Sequence, residues 1–132
     1  MQARALVVDD NETNVAVIEF ALKALGFETD VALNGREAVE RLQASSYQVA
    51  FIDYHMPVMD GADLVRWMAA NMTDRPFAII VTADARSETR TLFESLGVDG
   101  FLTKPVSIPA LVAALTALQQ DDETPDDGDE GA

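Results

Sequence analysis

The chain has 132 residues, no cysteine and a single histidine, His55, and its 23 acidic residues against 9 basic ones give a formal net charge of −14. This length suits one globular domain, and the composition excludes disulfides, thiolate chemistry and polyhistidine metal centres. The acidity argues against a nucleic-acid or anionic-membrane surface, because both need clustered Lys and Arg, and no apolar run approaches the roughly 20 residues that cross a bilayer, so we expect a cytoplasmic protein.

The acidic charge is concentrated at the carboxyl end of the chain. Residues 121–132 read DDETPDDGDEGA, with seven acidic and no basic side chains. A segment whose charges repel one another and which has no large apolar side chains to bury cannot offset the conformational entropy lost on folding. We therefore expect a folded domain over residues 1–120 and an acidic disordered tail or linker over residues 121–132.

Short apolar runs alternate along the body with segments of helical spacing. Strands are predicted at Arg4–Val8, Glu28–Ala32, Val49–Ile52, Phe77–Val81 and Gly100–Leu102. Helices are predicted after each strand, where apolar residues recur at intervals of three and four: Val15, Ile18, Leu22 and Leu25 in the first, Ala38, Val39 and Leu42 in the second, Leu64, Val65, Met68 and Met72 in the third, residues 87–96 in the fourth, and Leu111, Leu115 and Leu118 in the fifth, with Ser107 as its N-cap.

The β-α order repeats five times, and three of the strands are apolar on consecutive residues. Continuous apolar strands are typical of a parallel sheet that is covered on both faces. The sequence therefore predicts a single doubly wound α/β domain, a (βα)5 unit with a five-stranded parallel sheet and helices on both faces. In such sheets the ligand lies outside the carboxyl ends of the strands.

Polar side chains follow the apolar runs at that edge. Asp9 and Asp10 come after the first strand, Asp53 after the third, Thr82 after the fourth and Lys104 after the fifth. Crowded carboxylates repel unless a cation neutralises them, and an all-oxygen set with few protein ligands suits Mg²⁺. An aspartate beside Mg²⁺ and a lysine indicates phosphoryl transfer.

Four motifs in order carry a family resemblance: VVDDNETN, DYHMPVMDG, VTAD and TKP. Together they resemble the response-regulator receiver domain of two-component signalling, the CheY-like family. Their residues are similar to those of receivers attached to hybrid histidine kinases. The resemblance covers Arg4 to Leu118. It implies a flavodoxin-like strand order, 2-1-3-4-5.

The resemblance also implies roles for the site residues. Asp53 would be the phosphoacceptor. Asp9, Asp10 and Asp53, with the backbone carbonyl of His55, would hold Mg²⁺, or Mn²⁺ in its place. Thr82 would donate its hydroxyl, and Lys104 its ammonium, to the phosphoryl group.

Four further positions follow from the same resemblance. Thr82 and Phe101 would act as a switch pair. Phe101 occupies the position of the family's switch aromatic, but unlike a tyrosine it has no hydroxyl with which to form a hydrogen bond. The bond before Pro105 would be cis. The side chains of His55 and Asp84, each two residues past a site residue, would modulate the rate at which water reaches the phosphoryl group.

The implied function is a phosphoacceptor in a phosphorelay and not an enzyme, beyond its own phosphorylation and dephosphorylation. The donor would be a histidine kinase or a histidine phosphotransfer protein. A downstream protein would bind the surface of the fourth helix, fifth strand and fifth helix, which includes Arg86, Arg90 and Phe101. A stand-alone regulator and an excised module of a hybrid kinase both fit.

Two other classes are weighed against this function. A haloacid-dehalogenase-like Mg²⁺-dependent phosphatase needs two carboxylates separated by one residue at a strand end, whereas Asp9 and Asp10 are adjacent and alternate in direction. A phosphorylation-independent interaction module of the same fold would be expected to lack Asp53, Thr82 or Lys104, and all three are present.

Overall fold

A computed structural model describes residues 3–118 of the chain. The acidic segment predicted as a disordered tail, residues 121–132, lies outside the described residues. Within 3–118 no helix has both the length and the apolar character needed to cross a membrane.

Five parallel strands form one sheet in the order β2-β1-β3-β4-β5, which confirms the expected fold class and strand order. The strands are β1 (Arg4–Val8), β2 (Glu28–Ala32), β3 (Val49–Asp53), β4 (Phe77–Thr82) and β5 (Gly100–Thr103). The last three strands each extend one residue beyond the predicted end. Asp53 and Thr82 therefore belong to the sheet itself, paired with Val81 and Thr103 of the neighbouring strands.

Helices connect the strands and cover both faces of the sheet. They are α1 (Glu12–Ala24), α2 (Gly35–Ala44), α3 (Gly61–Asn71), α4 (Ser87–Ser95) and α5 (108–118). One core cluster lies under α2, α3 and α4, and a second lies under α1 and α5. Both faces of the central strands β1, β3 and β4 are buried, as their continuous apolar runs predict. The edge strands β2 and β5 are partly exposed.

Side-chain caps set where most of the helices begin. Asn11, Asn34 and Asp60 each accept a hydrogen bond from the backbone N–H three residues ahead, at 2.9–3.0 Å. Ser107 accepts from Ala110 N at 3.2 Å, so the predicted cap of α5 is confirmed. Arg86, the N-cap of α4, has no side-chain cap of its own.

Leu25 departs from the expected pattern. The spacing places it with Val15, Ile18 and Leu22 on the inner face of the first helix, but it is 47% exposed. The helix has already ended at Ala24, because Gly26 adopts a φ of 95° and turns the chain toward β2. Leu25 is thus the C-cap residue and lies outside the helical stripe.

A polar cluster fastens the amino-terminal edge of the sheet, opposite the strand ends that carry the site. The Tyr47 hydroxyl donates to Asp30 Oδ2 at 2.6 Å, and Arg4 Nη2 lies 3.0 Å from the same oxygen. The hydrogen bond from Tyr47 lowers the pKa of Asp30 most, and the Arg4 guanidinium lowers it further. Burial would raise this pKa, but the two partners outweigh it. Burial and the adjacent Asp30 carboxylate raise the pKa of Tyr47 to about 12. The cluster ties the loop before β3 to β2.

We predict that Tyr47→Phe lowers the free energy of unfolding by about 1.5 kcal/mol at pH 7, since the lost bond is to a charged group. Asp30 has a lowered pKa, so its contribution is present above its unfolded pKa and is lost as the pH falls through the folded one. The loss should therefore shrink in acid. Urea unfolding at pH 7 and pH 3 measures both quantities.

Tyr54→Phe is the matched control, because the Tyr54 hydroxyl makes no hydrogen bond among residues 3–118. An equal loss in the two variants, or a loss for Tyr47→Phe that does not depend on pH, would contradict the role of the cluster.

Candidate functional site

Three aspartates meet at the carboxyl edge of the sheet. Asp9 and Asp10 directly follow β1, and Asp53 is the last residue of β3, the strand beside it. One carboxylate oxygen from each lies within 4.8 Å of the others. Asp9 and Asp53 are buried, at 1% and 4% exposure, whereas Asp10 is exposed. The structure thus brings together all three carboxylates that the sequence singles out.

Lys104 places its ammonium between two of these carboxylates. Its Nζ lies 3.0 Å from Asp53 Oδ1 and 3.3 Å from Asp9 Oδ2. Its backbone is fixed to the neighbouring strand, because Lys104 N donates to Thr82 O at 2.9 Å. The Lys104–Pro105 peptide bond is cis. One lysine therefore faces three aspartates, and the site keeps an excess of negative charge.

Asp9 has one oxygen fixed and one without a hydrogen bond. Asp9 Oδ1 accepts from Asn11 N at 2.9 Å, and Asp9 N donates to Ala32 O at 3.0 Å, which orients the residue. Asp9 Oδ2 is buried and accepts no hydrogen bond from residues 3–118, although the Lys104 ammonium is near. A buried, unsatisfied carboxylate oxygen is costly unless a cation is close. The donor set, all oxygen and excess negative charge, fits a hard divalent cation.

The crowding also changes the proton affinities of the site. Burial, with the charges of Asp9 and Asp10, raises the pKa of Asp53, and the Lys104 ammonium opposes the rise. Burial alone would lower the pKa of Lys104, but its hydrogen bond to Asp53 and its charge interactions with Asp53 and Asp9 outweigh burial and raise that pKa. The ammonium thus stays charged, and the ionised form of Asp53 depends on it.

Gly61 permits the tight turn that follows Asp53. Gly61 N donates to Tyr54 O at 2.8 Å, and a Cβ at position 61 would lie 2.5 Å from the backbone oxygen of Asp53. Between them, Val58 has a φ of 74° and Met59 N donates to Pro57 O at 2.8 Å, a three-residue turn with positive φ. Gly61 is the last residue of the DYHMPVMDG motif, and the Asp-Gly pair there is the turn signal by which its role could have been found.

Asp84 has partners that the sequence analysis did not identify. Thr82, 1% exposed, accepts a hydrogen bond from Asp84 N at 3.1 Å through its Oγ1. The Asp84 carboxylate accepts from Arg86 N, Nε and Nη2 at 3.2, 2.9 and 2.8 Å, and from Thr89 Oγ1 at 2.8 Å. The bonds from Arg86 and Thr89 hold the pKa of Asp84 far below its usual range. The carboxylate is bound to the start of α4.

An aromatic series leads from the site toward α4 and β5. The Tyr54 ring stacks on exposed His55 at 4.1 Å between centroids and meets Phe93 edge-on at 4.9 Å. Phe93 lies 6.4 Å from half-buried Phe101, and the Arg90 guanidinium lies 4.6 Å from the Phe101 ring centroid.

A family model, sequence relatives and solved structures all relate this chain to the same protein family. The family model described as "Response regulator receiver domain" matches residues 5–116. The chain is 34% identical over 122 residues to the aerobic respiration control sensor protein ArcB of Escherichia coli K12, covering 89% of this chain and 16% of ArcB. It is 31% identical over 128 residues to the response regulator MprA of Mycolicibacterium vanbaalenii, covering 97% of this chain and 54% of MprA. The chain therefore spans at most about half the length of these two relatives.

Solved structures with the same fold include two at 28% identity, both with a TM-score of 0.79. One is the chemotaxis protein CheY4 of Vibrio cholerae, in which the similarity covers 88% of this chain and 98% of that one. The other is the signal receiver domain of a signal transduction histidine kinase from Syntrophus aciditrophicus, with 89% and 90% covered.

We predict that Lys104→Met, measured without divalent cations, destabilises the fold by about 2 kcal/mol at pH 7, because two buried carboxylates lose their ammonium partner. Without Lys104 the pKa of Asp53 rises further. A raised pKa of an acid means stability that is lost as the pH rises through it, so the penalty should be smaller at pH 4.5 than at pH 7. Urea unfolding at both pH values checks this.

Lys23→Met serves as the control, since Lys23 is an exposed residue on the last turn of α1. If Lys104→Met were no more destabilising than Lys23→Met at pH 7, the ammonium would not be compensating the buried carboxylates.

Proposed function

The chain belongs to the response regulator receiver domain family of two-component signalling, and from that membership we propose that it accepts a phosphoryl group on Asp53. The observation that carries this proposal is the position of Asp53, buried at a strand end, with Lys104 Nζ at 3.0 Å and the carboxylates of Asp9 and Asp10 beside it. A carboxylate with an adjacent ammonium and a cation site is the arrangement that phosphoryl transfer needs.

In the proposed reaction, a carboxylate oxygen of Asp53 attacks the phosphorus of a phosphohistidine. The new O–P bond gives an acyl phosphate, the N–P bond breaks, and its electron pair stays on the imidazole nitrogen of the donor. The Lys104 ammonium favours the ionised Asp53 that this attack requires. Water later attacks the phosphorus, the bond between phosphorus and the Asp53 oxygen breaks, and inorganic phosphate leaves with the carboxylate restored.

We place a Mg²⁺ site, which would also take Mn²⁺, at Asp9, Asp10 and Asp53 together with the backbone carbonyl of His55. The three carboxylates supply hard oxygen donors within 4.8 Å of each other, and Asp9 Oδ2 is the buried oxygen without a hydrogen bond. An ion held by these residues would neutralise part of the negative charge on the phosphoryl oxygens. Asp10, the exposed member, leaves the site open to a donor.

Thr82 and Lys104 are the residues that we propose to contact the phosphoryl group. Thr82 Oγ1 accepts from Asp84 N, which leaves its hydroxyl hydrogen to donate to a phosphoryl oxygen. Movement of Thr82 toward the phosphoryl group would open space for Phe101. The surface of α4, β5 and α5, with Arg86, Arg90 and Phe101, would then change for a downstream protein partner.

We keep His55 and Asp84 as proposed modulators of phosphoryl lifetime. The exposed His55 side chain borders the loop that follows Asp53. Asp84 is bound to Arg86 and Thr89, so its effect would be exerted through the position of the loop after Thr82 rather than by a free carboxylate acting on water.

The partners proposed for this domain are a histidine kinase or histidine phosphotransfer protein as donor and a protein on the surface of α4, β5 and α5, in the cytoplasm, with neither nucleic acid nor membrane as ligand. The two alternative classes have less support. Asp9 and Asp10 each bring an oxygen to one cluster with Asp53 although they are adjacent in sequence. That arrangement suits a shared cation better than the separate nucleophile and general acid of a dehalogenase-like phosphatase. An interaction module independent of phosphorylation leaves the assembled Asp53–Lys104 pair without a role.

We expect incubation with acetyl phosphate and Mg²⁺ to add one phosphoryl group to the protein, read as intact mass, because Asp53 is the buried nucleophile beside Lys104. Asp53→Asn should gain none, and Asp60→Asn, which alters a capping aspartate of the same loop, should gain one. No gain in the parent, or an equal gain in Asp53→Asn, would refute the phosphoacceptor role.

We also expect millimolar Mg²⁺ to raise the melting temperature of the unphosphorylated protein by a few degrees, since an ion that binds only the folded state stabilises it. Asp10→Asn should lose most of that rise because it removes one of the three carboxylates. Asp74→Asn, in the loop between α3 and β4, should keep it. A rise that is the same in all three proteins would point to weak binding elsewhere.

A further inference from the structure

Two consecutive residues of α4 contact the two arms of the proposed switch. Thr89 donates its hydroxyl to Asp84 Oδ2 at 2.8 Å, and Asp84 is the residue whose N–H bonds Thr82 Oγ1. Arg90 lies with its guanidinium carbon 4.6 Å from the Phe101 ring centroid. The first turn of one helix therefore contacts both the Thr82 loop and the aromatic residue of β5.

The Thr82 arm is held by a dense set of hydrogen bonds. The Asp84 carboxylate accepts three bonds from Arg86, at 2.8–3.2 Å, in addition to that from buried Thr89. Since Arg86 gives α4 no side-chain cap, this carboxylate is the group that fastens the loop to the helix. Thr82 cannot shift with its loop unless Asp84 moves relative to Thr89.

The Phe101 arm is held on its outer side. The Arg90 guanidinium covers the ring, and Phe93, fully buried, lies 6.4 Å away on the same core. A cation over an aromatic face is attractive, so any rotation of Phe101 into the core gives up that contact. Phe101 has no hydroxyl that could form a hydrogen bond at the surface, so the Arg90 guanidinium is the group that holds its ring in the outer position.

We propose that Thr89 and Arg90 form a two-point latch, which holds the Thr82 loop and Phe101 together in the arrangement of the unphosphorylated domain. The inference rests on the proposed function of Asp53. A contact made only in one of two states shifts the population toward that state, and it reduces the apparent affinity of any ligand that needs the other. Each arm is a contact of the size that changes such an equilibrium about threefold.

The test compares Thr89→Val, Arg90→Met and the double variant with the parent protein. The probe is beryllium trifluoride with Mg²⁺, a tetrahedral mimic of a phosphoryl group on a carboxylate. Each single variant should bind it about threefold more tightly and the double variant about tenfold, because opening the latch no longer opposes binding. Affinity no higher than that of the parent in all three variants would overturn the proposal.

Matched controls separate the latch from general effects of the substitutions. Thr91→Val makes the same chemical change at an exposed position of the same helix. Arg66→Met removes a guanidinium that pairs with Asp63 on α3. Both should bind the probe as the parent does, and a gain in either would show that the effect does not belong to Thr89 and Arg90.

Hydrogen exchange of the free protein gives a readout that needs no phosphoryl mimic. Amides of residues 84–86 should exchange faster in Thr89→Val, and those around Phe101 faster in Arg90→Met, with the β1 amides unchanged. Unchanged exchange at both places contradicts the latch. If the parent and Asp53→Asn bind the probe equally weakly, the proposed function fails instead, and exchange alone decides whether these contacts hold the loop and the ring.

Discussion

The structure depends on the confinement of three carboxylates and one ammonium at a single edge of the sheet. Asp9 and Asp53 are buried there, and Lys104 lies within 3.3 Å of both. Burial and, after it, repulsion from Asp9 and Asp10 raise the pKa of Asp53, so the ionised site carries an electrostatic cost that a further cation would relieve. The same excess negative charge that costs stability suits the edge to a divalent cation. Such a cation, with the Lys104 ammonium, would offset the negative charge of the proposed phosphoryl group.

The fold creates this arrangement with short-range devices. Parallel strands deliver Asp9 and Asp53 side by side, and the turn at Gly61 lets α3 begin against the backbone of Asp53 without a Cβ in the way. Apolar strands buried on both faces keep the strand ends from shifting. Asp84 then joins the strand end at Thr82 to α4, so the charged edge and the helical surface are mechanically connected.

Much of this was predictable from the sequence, because the relevant signals are local. Consecutive apolar residues identify buried parallel strands, and the polar residue after each strand identifies the site, so Asp53 and Lys104 are expected at one edge before any coordinates are known. The partners of Asp84 were not predictable, since which of several nearby donors a carboxylate selects depends on side-chain placement. The apolar spacing continues one residue past the end of α1, which is why it wrongly groups the cap residue Leu25 with the buried face.

The central claim, that Asp9, Asp10 and Asp53 together hold a cation beside the proposed phosphoacceptor, is tested most directly by locating the ion. Crystals grown with Mn²⁺ and measured at its absorption edge would place it by anomalous scattering. The account predicts one strong peak bounded by the three carboxylates and the His55 carbonyl. A fully occupied peak elsewhere, with none between these aspartates, would contradict it.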